Sequence, residues 1–266
     1  MPRRRFKSTS ESIAKRIAEG RGKGVGINYR PWLEVQDFPS HGVSHRPLGF
    51  KTGREHHLFS DLELIVFLIY YVMLAIIDIR EQFPLLPLKE TLEIAKGLGI
   101  KHPADPATGY PTVMTTDFLL KTRTRYGIAF DARTCKYQKD LDDPRVKEKF
   151  RIERIFWRRR EIDWGYVHDK LVHRILAENA ALIHPFHRLC DLHPLTQKEV
   201  SRIAFYLAGK LRREEAQLSD FVEDSDQKFG LPPGKSFTVI CHLIARGVWR
   251  VDLEKPISLK ERLILL

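Results

Sequence analysis

The chain of 266 residues is 43% hydrophobic and carries 45 Lys and Arg against 34 Asp and Glu, a formal net charge of +11. That length suffices for one large domain or two smaller ones, each with its own core. The positive surplus suits a polyanionic partner, because neutralising phosphates releases counterions, without choosing between nucleic acid and an anionic membrane. Three cysteines, Cys135, Cys190 and Cys241, are odd in number and widely spaced. They exclude a disulfide framework and fit a reducing cytoplasm. No apolar signal core follows Met1-Pro2-Arg3-Arg4-Arg5, and the most apolar run, 64–77, is too short for a membrane span and reads as a buried helix.

Residues 1–30 form a basic arm, with nine Arg and Lys against two Glu. The spacing of Ser8 and Glu11 predicts a capping box and a short helix ending near Gly20. The stretch Gly20-Arg21-Gly22-Lys23-Gly24-Val25-Gly26 reads as a flexible basic loop. It follows no strand, which argues against a phosphate-binding P-loop. Pro31, Pro39 and Pro47 punctuate an irregular segment over 31–58. A long helix is expected over 61–77, then an extended segment over 78–84 and a weaker helix over 89–98. Two strands follow, over 112–120 and 126–136, joined by a hairpin link at 121–125. Pro144 suits a first helical position, so a second long helix is expected over 144–161, with a strand after it at 163–167. From about Asp169 the pattern becomes helical. Thr196 and Glu199 form a capping-box pair opening a helix through Leu211, and a helix over 236–246 stops at Gly247. Residues 248–251 look like a short strand, which suggests a winged-helix module. The expected organisation is an α/β domain over 1–168 and a mostly helical, winged-helix-like domain over 169–266.

Three carboxylates and a lysine stand out. Val146, Phe150, Glu153 and Trp157 share one face of the second long helix, so Glu153 sits within an apolar stripe. A buried carboxylate needs a cation or strong donors, and a salt bridge to an arginine is the structural alternative. Asp117 shares strand parity with Thr115 and Leu119, and Lys136 ends the next strand's mostly apolar face. Such a pair can hold a hard divalent cation and stabilise a hydroxide or phosphate, or it can be an ordinary cross-strand ion pair. Glu63 stands near the start of the long apolar helix, where Ser60 and Glu63 also match a capping box. A helix glutamate, a strand aspartate and a lysine at a strand end occur in this order in restriction-endonuclease-like nucleases.

The text between these residues is more specific. Gly20-Arg21-Gly22-Lys23-Gly24, Tyr29-Arg30-Pro31-Trp32, Gly53-Arg54-Glu55-His56-His57-Leu58, Asp78-Ile79-Arg80-Glu81-Gln82-Phe83-Pro84 and Thr116-Asp117-Phe118-Leu119 follow one another over roughly 10–165. In this order they resemble TnsA, the endonuclease subunit of heteromeric cut-and-paste transposases. The resemblance implies a restriction-endonuclease-like fold and a Mg2+-dependent nuclease, with Mn2+ as a substitute, that cleaves the 5′ ends of a transposon. It implies DNA, a TnsB-like transposase and a TnsC-like ATPase regulator as partners, the ATPase through the C-terminal region, and no membrane. Matched residue by residue, it places catalytic roles on Glu63, Asp117, Lys136 and Glu153. The metal contacts fall on Glu63, Asp117 and the Cys135 backbone carbonyl. Thr134 departs from the Glu or Gln common two residues before the lysine in related nucleases, which puts the ligand set in doubt more than the reaction.

Two other classes compete: a catalytically silent DNA-binding adaptor of a transposase, and a stand-alone restriction-type nuclease. His184, His187, Cys190 and His193 recur every third residue, but a helix would rotate such a series away from one ion. The apolar end, 257–266, is poorly suited to stay free in water. It is expected to dock on a partner or to fold back on its own domain.

Overall fold

The computed structural model describes residues 7–37 and 43–266. Arg3, Arg4 and Arg5 of the basic arm, and Pro39 and Ser40, lie outside them. The chain divides into two compact units, one of 1–67 with 75–172 and one of 68–74 with 173–266.

In chain order the first unit begins with α1 (Ser10–Ala18) and a small ribbon of β1 (Leu48–Gly49) and β2 (Arg54–Glu55). The start of α2 (Asp61–Val72), then β3 (Ile76–Pro84) and α3 (Leu88–Gly97), follow. The unit continues with β4 (Thr115–Thr124), β5 (Gly127–Cys135), α4 (Pro144–Arg158) and β6 (Asp163–Val167). The sheet runs β3-β4-β5-β6, antiparallel up to β5 and parallel between β5 and β6. The parallel pair requires a crossover, and α4 supplies it. Asp143 caps α4 through the Arg145 N–H, and Pro144 occupies the first turn where no N–H is needed. Ile152, Phe156 and Trp157 of α4 pack with Ile94 and Ala95 of α3 and with Leu119 and Ala132 of the sheet. Each fully buried large apolar side chain contributes about 1.5–3 kcal/mol, so this packing fixes α4, and Glu153 with it.

Several expectations shift. Helix α2 ends at Val72 rather than at 77, because Ile76 and the following residues pair with β4. A continuous apolar run does not reveal where a helix yields to a strand; the pairing partner does. The α1 cap is Thr9 with Ser12, not Ser8 with Glu11. Ser8 instead donates its backbone N–H to Asp105 and its hydroxyl to the Pro111 carbonyl. The glycine-rich stretch is a hydrogen-bonded turn, not a flexible loop: the Gly22 N–H donates to Arg30 O, and the Arg30 N–H to Lys23 O. Gly24 has φ +93, and a Cβ there would meet the Asn28 carbonyl at 2.1 Å, so glycine is required. Arg16 and Arg21 of the basic arm both pair with Asp37, so part of its charge is spent internally.

The second unit holds α5 (Arg174–Ile183), α6 (Gln197–Arg213), α7 (Leu218–Phe229) and α8 (Lys235–Ala245) around Ile183, Val200, Leu207, Leu218, Val239 and Ile240. The Thr196–Glu199 capping box forms as expected, and Gly247 stops the last helix with φ +67. The short strand expected at 248–251 does not form; these residues are turn and irregular backbone. The apolar end folds back on its own unit. Ile257 and Leu263 are buried in this core, and Leu218 and Ser219 donate to the Glu261 and Leu259 carbonyls. Leu259, Ile264 and Leu266 of the same end remain exposed. No helix among the described residues is long and apolar enough to cross a membrane.

Candidate active site

Glu63 is set by the start of α2. Its backbone N–H donates to the Ser60 hydroxyl at 3.1 Å, so the capping reading is correct as far as it goes. Its carboxylate accepts from the Phe59 N–H at 3.0 Å, the Ser60 hydroxyl at 3.0 Å and the Gln82 amide at 3.3 Å. Capping and site geometry coexist in one side chain.

Asp117 on β4 accepts the Cys135 backbone N–H at 2.7 Å on one oxygen and the Gln82 amide at 3.4 Å on the other. One amide nitrogen therefore reaches both Glu63 and Asp117. Burial raises the pKa of each carboxyl, and the charge of Asp117 raises Glu63 further. The Cys135 N–H, Gln82 and the Lys136 charge oppose the rise at Asp117 without cancelling it. Burial and the same two carboxylates push the Cys135 thiol well above its ordinary range, so its side chain is held neutral.

Lys136 follows β5 directly. Its ammonium stands 3.7 Å from Asp140 and remains partly exposed. An ion pair of that length and exposure holds a lysine weakly, and its influence on Asp117 is through charge rather than a hydrogen bond.

Glu153 is placed separately. Its Oε2 accepts from Thr134 at 2.8 Å, Thr116 at 3.1 Å and the Trp164 indole at 3.1 Å. The Trp157 indole donates in turn to Thr116 at 2.8 Å. All three donors to Glu153 are neutral, so the alternative of a buried salt bridge to arginine is not formed. Burial and then the Asp117 charge raise its pKa to about 7, against the donors that lower it. Thr134 gives its hydroxyl to Glu153. No hydrogen bond joins Glu153 to Glu63 or Asp117; it reaches them through charge and through the Thr134–Cys135 step of β5.

Two groups carry no obvious sequence signal. Gln82 is one. The other is a buried network beside it: Glu81, fully buried, accepts from Arg54 at 2.7 and 2.6 Å, from His56 at 2.7 Å and from the His57 N–H at 3.2 Å. Burial pushes Glu81 up, but the His56 and Arg54 charges outweigh it and hold the carboxylate ionised well below the usual range. Both residues stand in a stretch quoted above for the resemblance, yet nothing in the local spacing joins Glu81 to Arg54 and His56 or Gln82 to Glu63 and Asp117; only the tertiary contacts do.

Among the described residues no three His, Cys, Asp or Glu side chains gather as a metal-holding group, and the series His184, His187, Cys190 and His193 does not do so. Glu63 and Asp117 would be the full side-chain complement. A small hard cation suits this, since it keeps several waters and is held by one or two carboxylates. Two carboxylates pressed together out of water, with raised pKa values and no direct cationic partner, fit such an ion.

Residues 74–169 match the TnsA-like endonuclease N-terminal family and residues 172–253 the TnsA endonuclease C-terminal family. The chain is 38% identical over 243 residues to the transposon Tn7 transposition protein TnsA of Escherichia coli, spanning 91% of this chain and 86% of that protein. With matches to both halves and identity along nearly the full length, this chain belongs to the TnsA endonuclease family.

Proposed function

We propose that the chain hydrolyses DNA at the 5′ ends of a transposon during cut-and-paste transposition. It works with a TnsB-like transposase that acts on the 3′ ends and a TnsC-like ATPase regulator. The observation that carries this reading is the Glu63–Asp117 carboxylate pair, bridged by Gln82 and flanked by Lys136. Glu63, Asp117 and the strand end at Cys135 would hold Mg2+, or Mn2+ in its place. When bound, such an ion activates water and stabilises the leaving oxygen.

The chain's own groups do the rest. The Cys135 N–H fixes Asp117 so that its second oxygen stays directed to the site. Lys136, only loosely held by Asp140, offsets charge on the attacking oxygen or the scissile phosphate. Water adds at phosphorus, the P–O3′ bond breaks, and the products are a 5′-phosphate and a 3′-hydroxyl. Glu153 acts from behind the strand ends by holding Thr134, and so the path of β5 into Cys135.

The test is a strand-specific cleavage assay on end-labelled transposon DNA, with the chain, its transposase and its ATPase purified together. Cleavage at the 5′ strands in Mg2+, lost in EDTA and restored by Mn2+, is expected. No 5′-strand cleavage in the full assembly would support the silent-adaptor reading instead. Efficient cutting by the chain alone would support a stand-alone nuclease.

A further inference from the structure

Gln82 is 3% exposed and lies inside β3 with φ +48. A non-glycine residue in this left-handed region is strained and persists only where its surroundings impose it. Here they do. On one side Glu81 is clamped by Arg54 and His56, with the Tyr29 hydroxyl on its carbonyl at 3.0 Å. The Gln82 carbonyl itself accepts the Trp32 N–H at 3.2 Å. The backbone turn aims the Gln82 side chain between Glu63 and Asp117.

The amide orientation is dictated by chemistry. Nε2 stands 3.3 Å from Glu63 and 3.4 Å from Asp117, and Oε1 accepts the Thr115 hydroxyl at 3.1 Å. Turned over, the amide would aim its oxygen at two carboxylates. An NH2 group has two hydrogens, one for each neighbour. Its oxygen is engaged by Thr115 and turned from the pair, so Gln82 is not itself a ligand.

We propose that Gln82 is a positioning residue of the nuclease site, giving one amide hydrogen to Glu63 and the other to Asp117. It thereby holds a helix carboxylate and a strand carboxylate close enough to share one divalent cation. The left-handed backbone and the buried Arg54–Glu81–His56 network serve this placement. The role rests on the cation-dependent reading above, and the experiment separates the two.

Mn2+ binding to the full-length chain is measured by isothermal titration calorimetry, with thermal unfolding recorded in EDTA. Gln82→Asn keeps an amide and tolerates the positive φ, but is one methylene too short to reach both carboxylates. Gln82→Gly keeps the backbone and removes the amide. Both are expected to weaken Mn2+ affinity by about tenfold or more, the scale of a lost hydrogen bond to charge, with no matching fall in melting temperature. Thr115→Val removes the hydroxyl that orients the amide and is expected to weaken affinity less, in the same direction. It decides the matter if the Gln82 variants do not fold. Folded Gln82 variants that bind Mn2+ as the wild type does overturn this role alone. A wild-type chain that binds no Mn2+ overturns both this role and the cation reading.

Discussion

The backbone N–H of Cys135 donates to the Asp117 carboxylate at 2.7 Å, so the end of β5 fixes the orientation of the β4 aspartate. The same step of β5 carries Thr134, whose hydroxyl is held by Glu153 at 2.8 Å. A residue on α4 is thus linked to the β4 carboxylate through one peptide unit.

Replacing Asp117 with Asn keeps the side chain's shape and an oxygen for the Cys135 N–H. In the full assembly, 5′-strand cleavage is expected to disappear, while 3′-strand chemistry by the partner continues. Because Asp117 adds repulsion to Glu63, the variant is also expected to melt no lower than the wild type in EDTA, as is common for strained active sites. Wild-type cleavage by the Asn variant would remove Asp117 from the mechanism.

Glu63 has two duties, and Gln separates them. Gln retains a helix-start acceptor, so its cost to stability is expected to stay within about 1 kcal/mol, the scale of a cap. If Glu63 also holds the cation, as proposed, Gln cannot replace it, and cleavage is expected to be lost. Calorimetric melting and the strand-specific assay on one preparation read both duties. An active, stable Gln variant would leave Glu63 as a cap only.

Glu153 predicts a pH signature. Its carboxyl is raised from an ordinary 4.5 to about 7 in the fold, so between those values the folded chain holds a proton that the unfolded chain has released. Stability from this group therefore falls as pH rises through that window, and the full cost is present above it. Glu153→Gln removes this group's share of the slope. In EDTA its melting temperature is expected to exceed that of the wild type at about pH 8, the gap narrowing toward pH 4.5. A gap that does not change with pH would show that the raised pKa is not realised.

Arg54 is buried against Glu81, with a side chain 9% exposed beside one fully buried. Arg54→Met leaves a buried carboxylate with His56 as its remaining side-chain partner. Removing one member of a buried pair costs about 3–5 kcal/mol, and denaturant unfolding of the first unit is expected to show a loss of that order. A loss below about 1 kcal/mol would place the pair with surface ion pairs in energetic weight.

The folded-back end changes what truncation can test. Removing residues after Pro256 would strip Ile257 and Leu263 from the second unit's core, so a lost partner interaction would not identify a docking site. Leu263→Ala is expected to cost about 2–5 kcal/mol, as for other buried leucines. Thermal unfolding of the full-length variant reads this directly. An unchanged melting temperature would return the end to the surface.

The sequence by itself marked most of the elements and, through its resemblance to a known family, named the candidate site residues. Pro144 marked the start of α4, the Thr196–Glu199 pair marked α6, and the apolar stripe around Glu153 marked its burial, because caps and periodicity are local properties. Local signals also set the limits. The helix-to-strand change near Ile76 and the missing strand at 248–251 depended on whether a pairing partner was present. Which carboxylates meet was likewise undecided. Glu63, Gln82 and Asp117 are far apart in sequence and converge because α2, β3 and β4 pack together, while Glu153 is drawn to Thr116, Thr134 and Trp164 instead. The left-handed Gln82 is the clearest case: no spacing rule identifies a glutamine in a strand as the bridge between two acids, since its backbone conformation is imposed by contacts from Trp32, Arg54 and His56.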